Sequence, residues 1–212
     1  MCIFYNIVLW DIDVKGEQMT DGFIPRHGGY QGLHSYRKSE IVYDATVYFC
    51  KRFYKNGDRT IDQMIQAARS GKQNIVEASM ASGTSKETEI LLTNVARASL
   101  EELLIDYRDF LRTRGLNEWP LEHPHVERLR KLNRTGDGTY ETFRKGIEHE
   151  NPEICANVII GLIKLTTYLL NRQILKQESD FLKNGGLRER MSHARTMARK
   201  NRHGDASEHR PG

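Results

Sequence analysis

The chain has 212 residues, a mass of 24.5 kDa and a formal net charge of +4. This length suits one domain with appendages, and a domain of ~150 residues buries roughly 70% of its unfolded surface, so a conventional core needs no covalent or metal staples. Its three cysteines (Cys2, Cys50 and Cys155) are widely spaced and form no C-x-x-C pair. This argues against a disulfide framework or a cysteine zinc site and predicts a reducing, cytoplasmic compartment.

The positive charge is concentrated near the C-terminus. Residues 183–212 contain eight lysines and arginines against three acids, a net charge of +5, which leaves −1 for the other 182 residues. Such asymmetry indicates an anionic partner such as nucleic acid. A solvated tail that aids solubility explains the same charge equally well.

The first ten residues, MCIFYNIVLW, are apolar, but they lack a basic leader and a small-residue cleavage site. They are also shorter than the ~20 residues that cross a bilayer, so we expect no membrane association. Either they form a β-like or docking segment, or translation begins at Met19 and residues 1–18 are a mis-assigned extension. Turn formers between Thr20 and Gly32 favour the second reading, and residues 1–34 are predicted to be an irregular lead.

A first helix is predicted from Ser35 to Tyr54. Its apolar side chains recur at intervals of three and four, as on one face of a helix. These are Val42, Ala45, Phe49 and Phe53. The Asn56-Gly57 pair should follow its end, because such residues readily adopt the left-handed conformation.

The second predicted helix contains DQMIQAARSGKQNIVEAS, residues 62–79, and opens with a capping box from Thr60 to Gln63. Its apolar positions fall in one arc of about 120°, the width of a core-facing stripe. The arc contains Ile61, Met64, Ile65, Ala68, Ile75 and Val76, together with Ser79. Lys72 lies inside this arc and Arg69 at its edge, where the stems can pack while the cations reach water or a carboxylate.

The third predicted helix opens with a second capping box, Thr84 to Glu87, and runs to about Arg114. One face carries the core stripe, which consists of Leu92, Ala96, Leu100, Leu103, Tyr107, Phe110 and Leu111. Apolar residues also occupy the face that should be polar. They are Ile90, Leu91 and Ile105, and they suggest a second contact surface.

A long connection with two short helices, residues 124–133 and 139–148, precedes the fourth long helix. Asn151-Pro152-Glu153 has the cap, first-turn proline and early acid of a helix start. Gly185-Gly186 should end this helix, followed by a weakly amphipathic basic helix from Leu187 to Arg202. We therefore predict an all-α protein: an antiparallel up-down four-helix bundle (residues 35–182) with an inserted helical connection and a basic C-terminal helical tail (residues 183–212).

Signatures of catalysis are weak. Glu122-His123-Pro124-His125 offers two imidazoles, but the proline prevents the i, i+4 spacing on which helical zinc pairs depend. The Glu-x-x-His signature of di-iron bundles is missing, as is a glycine-rich phosphate loop followed by Lys-Ser/Thr. Cys50 and Cys155 lie on apolar faces, where a thiol acts as a small hydrophobe. We predict that the protein is not an enzyme and that it binds no metal and no cofactor.

Two segments resemble a known family. QMIQAARSGKQNIVE (residues 63–77) and SKETEILLTNVARASLEELLIDY (residues 85–107) are similar to the second and third helices of the bacterial four-helix-bundle proteins named after 23S rRNA intervening sequences. That family includes the accessory variability proteins of diversity-generating retroelements, which assist a reverse transcriptase. The resemblance covers residues 36–182, and the tail resembles a suffix region of some members. The chain departs from the pattern at Ala78, where glycine is common, and in its insertion from Glu118 to Asn151.

The resemblance implies a homo-oligomer, typically a pentamer, that binds nucleic acid without catalysis and in some cases serves a polymerase. The expected phosphate-binding residues are the cations of the connection and tail, with little sequence readout. They are Arg128, Arg130, Lys131, Arg134, Arg188, Arg190, Arg195, Arg199, Lys200 and Arg202. The expected contacts between subunits are polar residues of the second and third helices. They are Arg69, Lys72, Gln73, Asn74, Glu77, Glu101 and Glu102.

Two alternatives remain at this point. A solvated polar helix face explains Gln73 and Glu77 as well as a subunit contact does. The function itself is either that of a nucleic-acid-binding accessory protein or that of an oligomeric protein-interaction scaffold whose tail only solubilises it.

Overall fold

The computed structural model describes Ile24, residues 27–135 and residues 138–205, with the backbone alone at residue 135 and at residues 201–205. The proposed start at Met19, most of the predicted lead and the last seven residues lie outside this range. All regular structure in the described part is helical, which confirms the all-α class. A 3-10 turn (Tyr30–Gly32) precedes seven α-helices: α1 (His34–Phe53), α2 (Arg59–Ala81), α3 (Lys86–Thr113), α4 (Pro124–Thr135), α5 (Tyr140–Ile147), α6 (Pro152–Asn184) and α7 (Leu187–Asp205).

The helix starts test the predicted caps. Asn151 caps α6 as expected, with Pro152 in the first turn and the Asn151 side chain accepting the Glu153 N–H at 2.8 Å. The other two predicted caps are wrong by one or two residues. Asp58 caps α2 instead of Thr60, and Ser85 caps α3 instead of Thr84. In each case another side chain of the same turn reaches the early amides, because short sequences rich in Ser, Thr and Asp offer several competing acceptors.

Four long helices surround one core. Helix α1 packs on α2, α2 on α3, α3 on α6, and α6 back on α1. Phe49 is fully buried, with its ring 4.9 Å from that of Tyr107 and 4.7 Å from that of Phe110. The Tyr107 hydroxyl donates to Thr46 Oγ1 at 3.1 Å, so the one polar atom of this buried ring is satisfied.

A glycine of α2 lies against α3. A Cβ added at Gly71 would lie 2.7 Å from the Leu100 side chain, so a larger residue there would displace this buried leucine. Ala67 and Ala78 are buried on the same face, whereas Ile65 is only half-buried. Of the predicted core arc of α2, only one side is correct: Met64, Ala68 and Ile75 are buried, whereas the other four members are half-buried. The core face is rotated towards Ala67, Gly71 and Ala78, because hydrophobic periodicity gives glycine and alanine little weight as packing residues.

The inserted helices pack on the outside of the bundle. Helix α5 contacts α1 and α6, and α4 contacts α6. Phe143 and Ile147 of α5 and Leu129 of α4 are buried. Buried Asn157 of α6 holds the segment before α4, because its side-chain oxygen accepts the Trp119 N–H at 2.8 Å.

Length and composition alone would let the segment that begins with α6 cross a membrane. Of its apolar window, 56% is buried inside the bundle, as expected for the core helix of a helical domain. This helix is therefore weak evidence for a membrane span.

Candidate nucleic-acid interface

The predicted cations of the insertion lie on exposed parts of α4. Arg128, Lys131 and Arg134 recur every three residues, so neighbouring members of this row are adjacent on the helix surface. Arg130 is also exposed, but its guanidinium lies 3.7 Å from the Glu127 carboxylate. Arg128, Lys131 and Arg134, the exposed cations that share this spacing, are here called the α4 row.

The cations of the tail form a second row. Arg188, Arg195 and Arg199 are exposed and separated by seven and four residues, which places them on one face of α7. These three residues are called the α7 row. Lys200 is exposed beside it, and Arg190 is half-buried. Arg202 lies where the structure does not describe side chains.

The structure does not bring the two rows together. Helix α4 packs on α6 near Gly161, where an added Cβ would meet the Leu129 side chain. Helix α7 begins only after Asn184, which is about 35 Å further along α6 at 1.5 Å per residue. The predicted phosphate-binding residues are thus divided between two surfaces.

A pocket of about 580 Å³ lies between α4, α5 and α6. Its floor is apolar and consists of Leu129, Leu132, Phe143, Ile154 and Val158, with Trp119 at one side. Polar side chains from α4 and α5 line its rim, among them Arg128 and Lys145. We refer to it as the insertion pocket. Sequence reasoning missed it, because its walls come from segments that become neighbours only after α4 and α5 dock; the only local signal was an aromatic residue beside two histidines.

The two histidines considered as metal ligands, His123 and His125, both pack their rings against Trp119. The His123 ring stacks on Trp119 with centroids 4.6 Å apart, and the His125 ring lies 5.0 Å from the same indole. Within the described ranges, no group of three or more His, Cys, Asp or Glu side chains is arranged to hold a metal ion.

Two thiols lie inside the bundle. Burial raises the pKa of both Cys50 and Cys155 to about 12. The Cys155 thiol also donates to the Ile147 carbonyl at 2.7 Å. Since the thiolate is the reactive form of cysteine, neither residue is suited to act as a nucleophile.

The residues predicted to join subunits have mixed surroundings. Arg69, Glu77 and Glu102 are exposed, and Gln73 is half-buried. The other three have contacts within the chain, described next, and their role between subunits stays a prediction.

The Lys72 ammonium lies 4.4 Å from the centre of the Tyr43 ring, so its stem packs as expected but its charge faces α1. The Asn74 amide donates to the Ser70 carbonyl at 2.9 Å. Glu101 pairs with Arg97 at 2.7 Å. Lys72, Asn74 and Glu101 therefore have partners within the chain, whereas a contact to a neighbouring subunit is predicted for each of them.

Exposed apolar residues occur on two helices. On α3, Leu91 and Ile105 are 61% and 57% exposed, as the sequence pattern suggested. On α6, Tyr168, Leu175 and Leu182 are exposed and separated by seven residues each, so they follow one line along the helix. A line of this kind is typical of helices that pack against another helix.

Glu118 joins the insertion to the bundle. Its carboxylate accepts hydrogen bonds from Arg108 at 2.9 Å and from Lys164 at 2.5 Å. Partial burial by itself would raise the pKa of Glu118, but the two cations outweigh it and hold the pKa below its usual value. A lowered pKa means that this carboxylate contributes stability above its unfolded-state pKa and loses that contribution as the pH falls through the native value.

We therefore expect Glu118→Gln to lower the free energy of unfolding at pH 7 by at most about 1 kcal/mol, because all three partners are about a third or more exposed. At pH 3 the difference from the parent protein should shrink. Urea unfolding at both pH values measures it. Glu122→Gln, at an exposed neighbouring position, is the control. A Glu118→Gln difference that grows towards pH 3 would contradict the assignment.

Comparison with known proteins does not assign the chain to a family. No protein-family model, curated protein or solved structure matches the chain. The resemblance to the intervening-sequence proteins therefore stays a prediction.

Proposed function

We propose that the chain is a non-catalytic, homo-oligomeric accessory protein that binds nucleic acid through its phosphate backbone. The observation that carries the proposal is the pair of cationic rows, one on α4 and one on α7. Ordered helices display both rows, so their charges are held at defined spacings. Phosphate contacts of this type give sequence-independent, salt-sensitive binding.

The proposal also covers the arrangement of the long helices and the partners of the protein. The long helices α1, α2, α3 and α6 would form an antiparallel up-down bundle, and the polar residues of α2 and α3 would contact neighbouring copies. A pentamer, a cytoplasmic location and a partner reverse transcriptase are what the family resemblance adds. The exposed apolar residues on α3 and the apolar line on α6 support an oligomer independently of that resemblance.

Salt titration tests the binding proposal. Labelled structured RNA and duplex DNA are titrated with the full chain between low and moderate salt, and the slope of log affinity against log salt is measured. Replacing Arg188, Arg195 and Arg199 by glutamine should reduce the steepness of the duplex DNA slope by roughly 2 to 3, because each phosphate contact contributes about 0.9. Deleting residues 183–212 should reduce it at least as much.

A matched control removes three arginines that already have acidic partners: Arg97, Arg112 and Arg144. This variant has the same net charge as the α7 variant and should keep most of the slope. If the two variants lose equal slope, only net charge matters and the α7 row is not a binding surface.

The second candidate is a protein-interaction scaffold, which the exposed apolar residues of α3 and α6 also favour. Light scattering on the purified protein gives the oligomer mass as a multiple of 24.5 kDa. If the protein forms a well-folded oligomer that binds neither RNA nor DNA at low salt, the nucleic-acid proposal is wrong and the scaffold function is favoured.

A further inference from the structure

The insertion pocket has the dimensions of a ligand site. Its volume of about 580 Å³ falls within the roughly 300–1,000 Å³ typical of small-molecule pockets. Three helices and the segment before α4 supply its walls. Trp119 and Phe143 give it aromatic surface, and one face of the Trp119 indole is already covered by His123. An aromatic group of one or two rings fits within this space.

The charges of the rim favour an anionic ligand. Arg128 stands on α4 and Lys145 on α5, so cations from two helices flank the pocket. Neither forms an ion pair with a carboxylate of the described residues. Glu141 also lines the rim, but its carboxylate lies 3.3 Å from the guanidinium of Arg144. The charged residues that line the pocket, Arg128, Lys145 and Glu141, therefore sum to a formal charge of 2 − 1 = +1.

The cations continue beyond the pocket. Arg128 is both a rim residue and the first member of the α4 row, which leads away from the pocket through Lys131 to Arg134. A ligand with a single anionic group would be satisfied at the rim. A row that starts there suits a ligand whose negative charge repeats along a chain.

We propose that the insertion pocket accepts one unstacked base of a single-stranded nucleic acid, while the phosphates next to that base lie along the α4 row. This inference rests on the proposed function and assigns a ligand to part of its surface. The apolar floor and the aromatic rings contact the base, and Arg128, Lys131 and Arg134 bind the backbone. Contact of this kind tolerates any base, because every base has a flat face.

The test compares two strands of equal length and charge. One is a labelled 12-residue oligouridylate, and the other has the same sugar-phosphate backbone with no bases. Fluorescence anisotropy with the full chain at fixed salt gives both affinities. We expect the base-containing strand to bind roughly 5- to 150-fold more tightly, the range that stacking of one base provides.

Filling the pocket should remove that ratio. Ile154 is half-buried and lines the pocket, so Ile154→Trp places an indole where the base would lie. Its expected ratio is close to one, with unchanged binding of the abasic strand. Leu121→Trp is the matched control, because Leu121 is 61% exposed in the same insertion and does not line the pocket; its ratio should equal that of the parent protein. Leu132→Trp fills the pocket from α4 if Ile154→Trp fails to fold.

The outcomes separate the two proposals. Equal, salt-sensitive binding of both strands by the parent protein would overturn the base site and leave phosphate binding intact. A ratio that survives both pocket-filling variants would also overturn it, because the base would then be bound elsewhere. If structured RNA, duplex DNA and both test strands all fail to bind at low salt, the proposed function itself is wrong.

Discussion

Replacing Phe49 by alanine is expected to lower the free energy of unfolding by about 3 to 5 kcal/mol. Phe49 has no exposed surface, and its ring lies within 5.0 Å of the rings of Phe53, Tyr107 and Phe110. Removing it deletes the central member of this cluster and leaves a cavity between α1 and α3. The surrounding rings are held by their own helices and can refill only part of that space.

Chemical denaturation followed by circular dichroism measures the Phe49→Ala effect. Leu121→Ala is the control, because that side chain is 61% exposed and its truncation should change stability by no more than ~0.5 kcal/mol. A loss below 1 kcal/mol for Phe49→Ala would show that the aromatic cluster does not hold α1 against α3.

The second large effect is expected at Asn157. Its side chain accepts the Trp119 N–H at 2.8 Å and donates to the Asn117 carbonyl at 2.9 Å, and only 5% of the residue is exposed. Asn157→Leu keeps a similar size but leaves both backbone groups without their partner. Because an unsatisfied buried group costs about 1 to 3 kcal/mol, and these groups are only partly buried, we expect a loss of about 2 kcal/mol.

Asn171→Leu makes the same chemical change at an exposed position of α6 and should be nearly neutral. Urea unfolding compares the two variants. Hydrogen exchange at the Trp119 amide gives a second reading and should accelerate in Asn157→Leu alone. Equal stability of the two variants would mean that the segment before α4 is not anchored through this side chain.

The sequence predicted the helices well because their signals are local. Apolar periodicity located all the long helices to within a few residues, and Asn151-Pro152-Glu153 marked the start of α6. The rotation of α2 was not predictable in this way. Its tight contact with α3 depends on the absence of a side chain at Gly71, and hydrophobicity carries no information about how closely two backbones approach.

The candidate site was only partly predictable. Charge and spacing indicated the cations of α4 and α7, since exposed arginines and lysines are visible in composition. The insertion pocket depends on which helices meet, and nothing local to Trp119, Lys145 and Val158 shows that they share a cavity. The role of Asn157 was not predicted for a related reason. A single amide side chain in an apolar run does not reveal that it will bind the distant backbone groups of Asn117 and Trp119.

The connection between α3 and α6 has a consequence for how the chain tolerates change. It spans about 40 residues, and the loop-closure entropy of a flexible connection rises only by roughly 0.6 kcal/mol for each doubling of length. Extending a five-residue turn to this length therefore costs about 2 kcal/mol, a value that burial of Phe143 and Ile147 can offset. The insertion can therefore vary in length and surface while the four long helices that carry it keep their places.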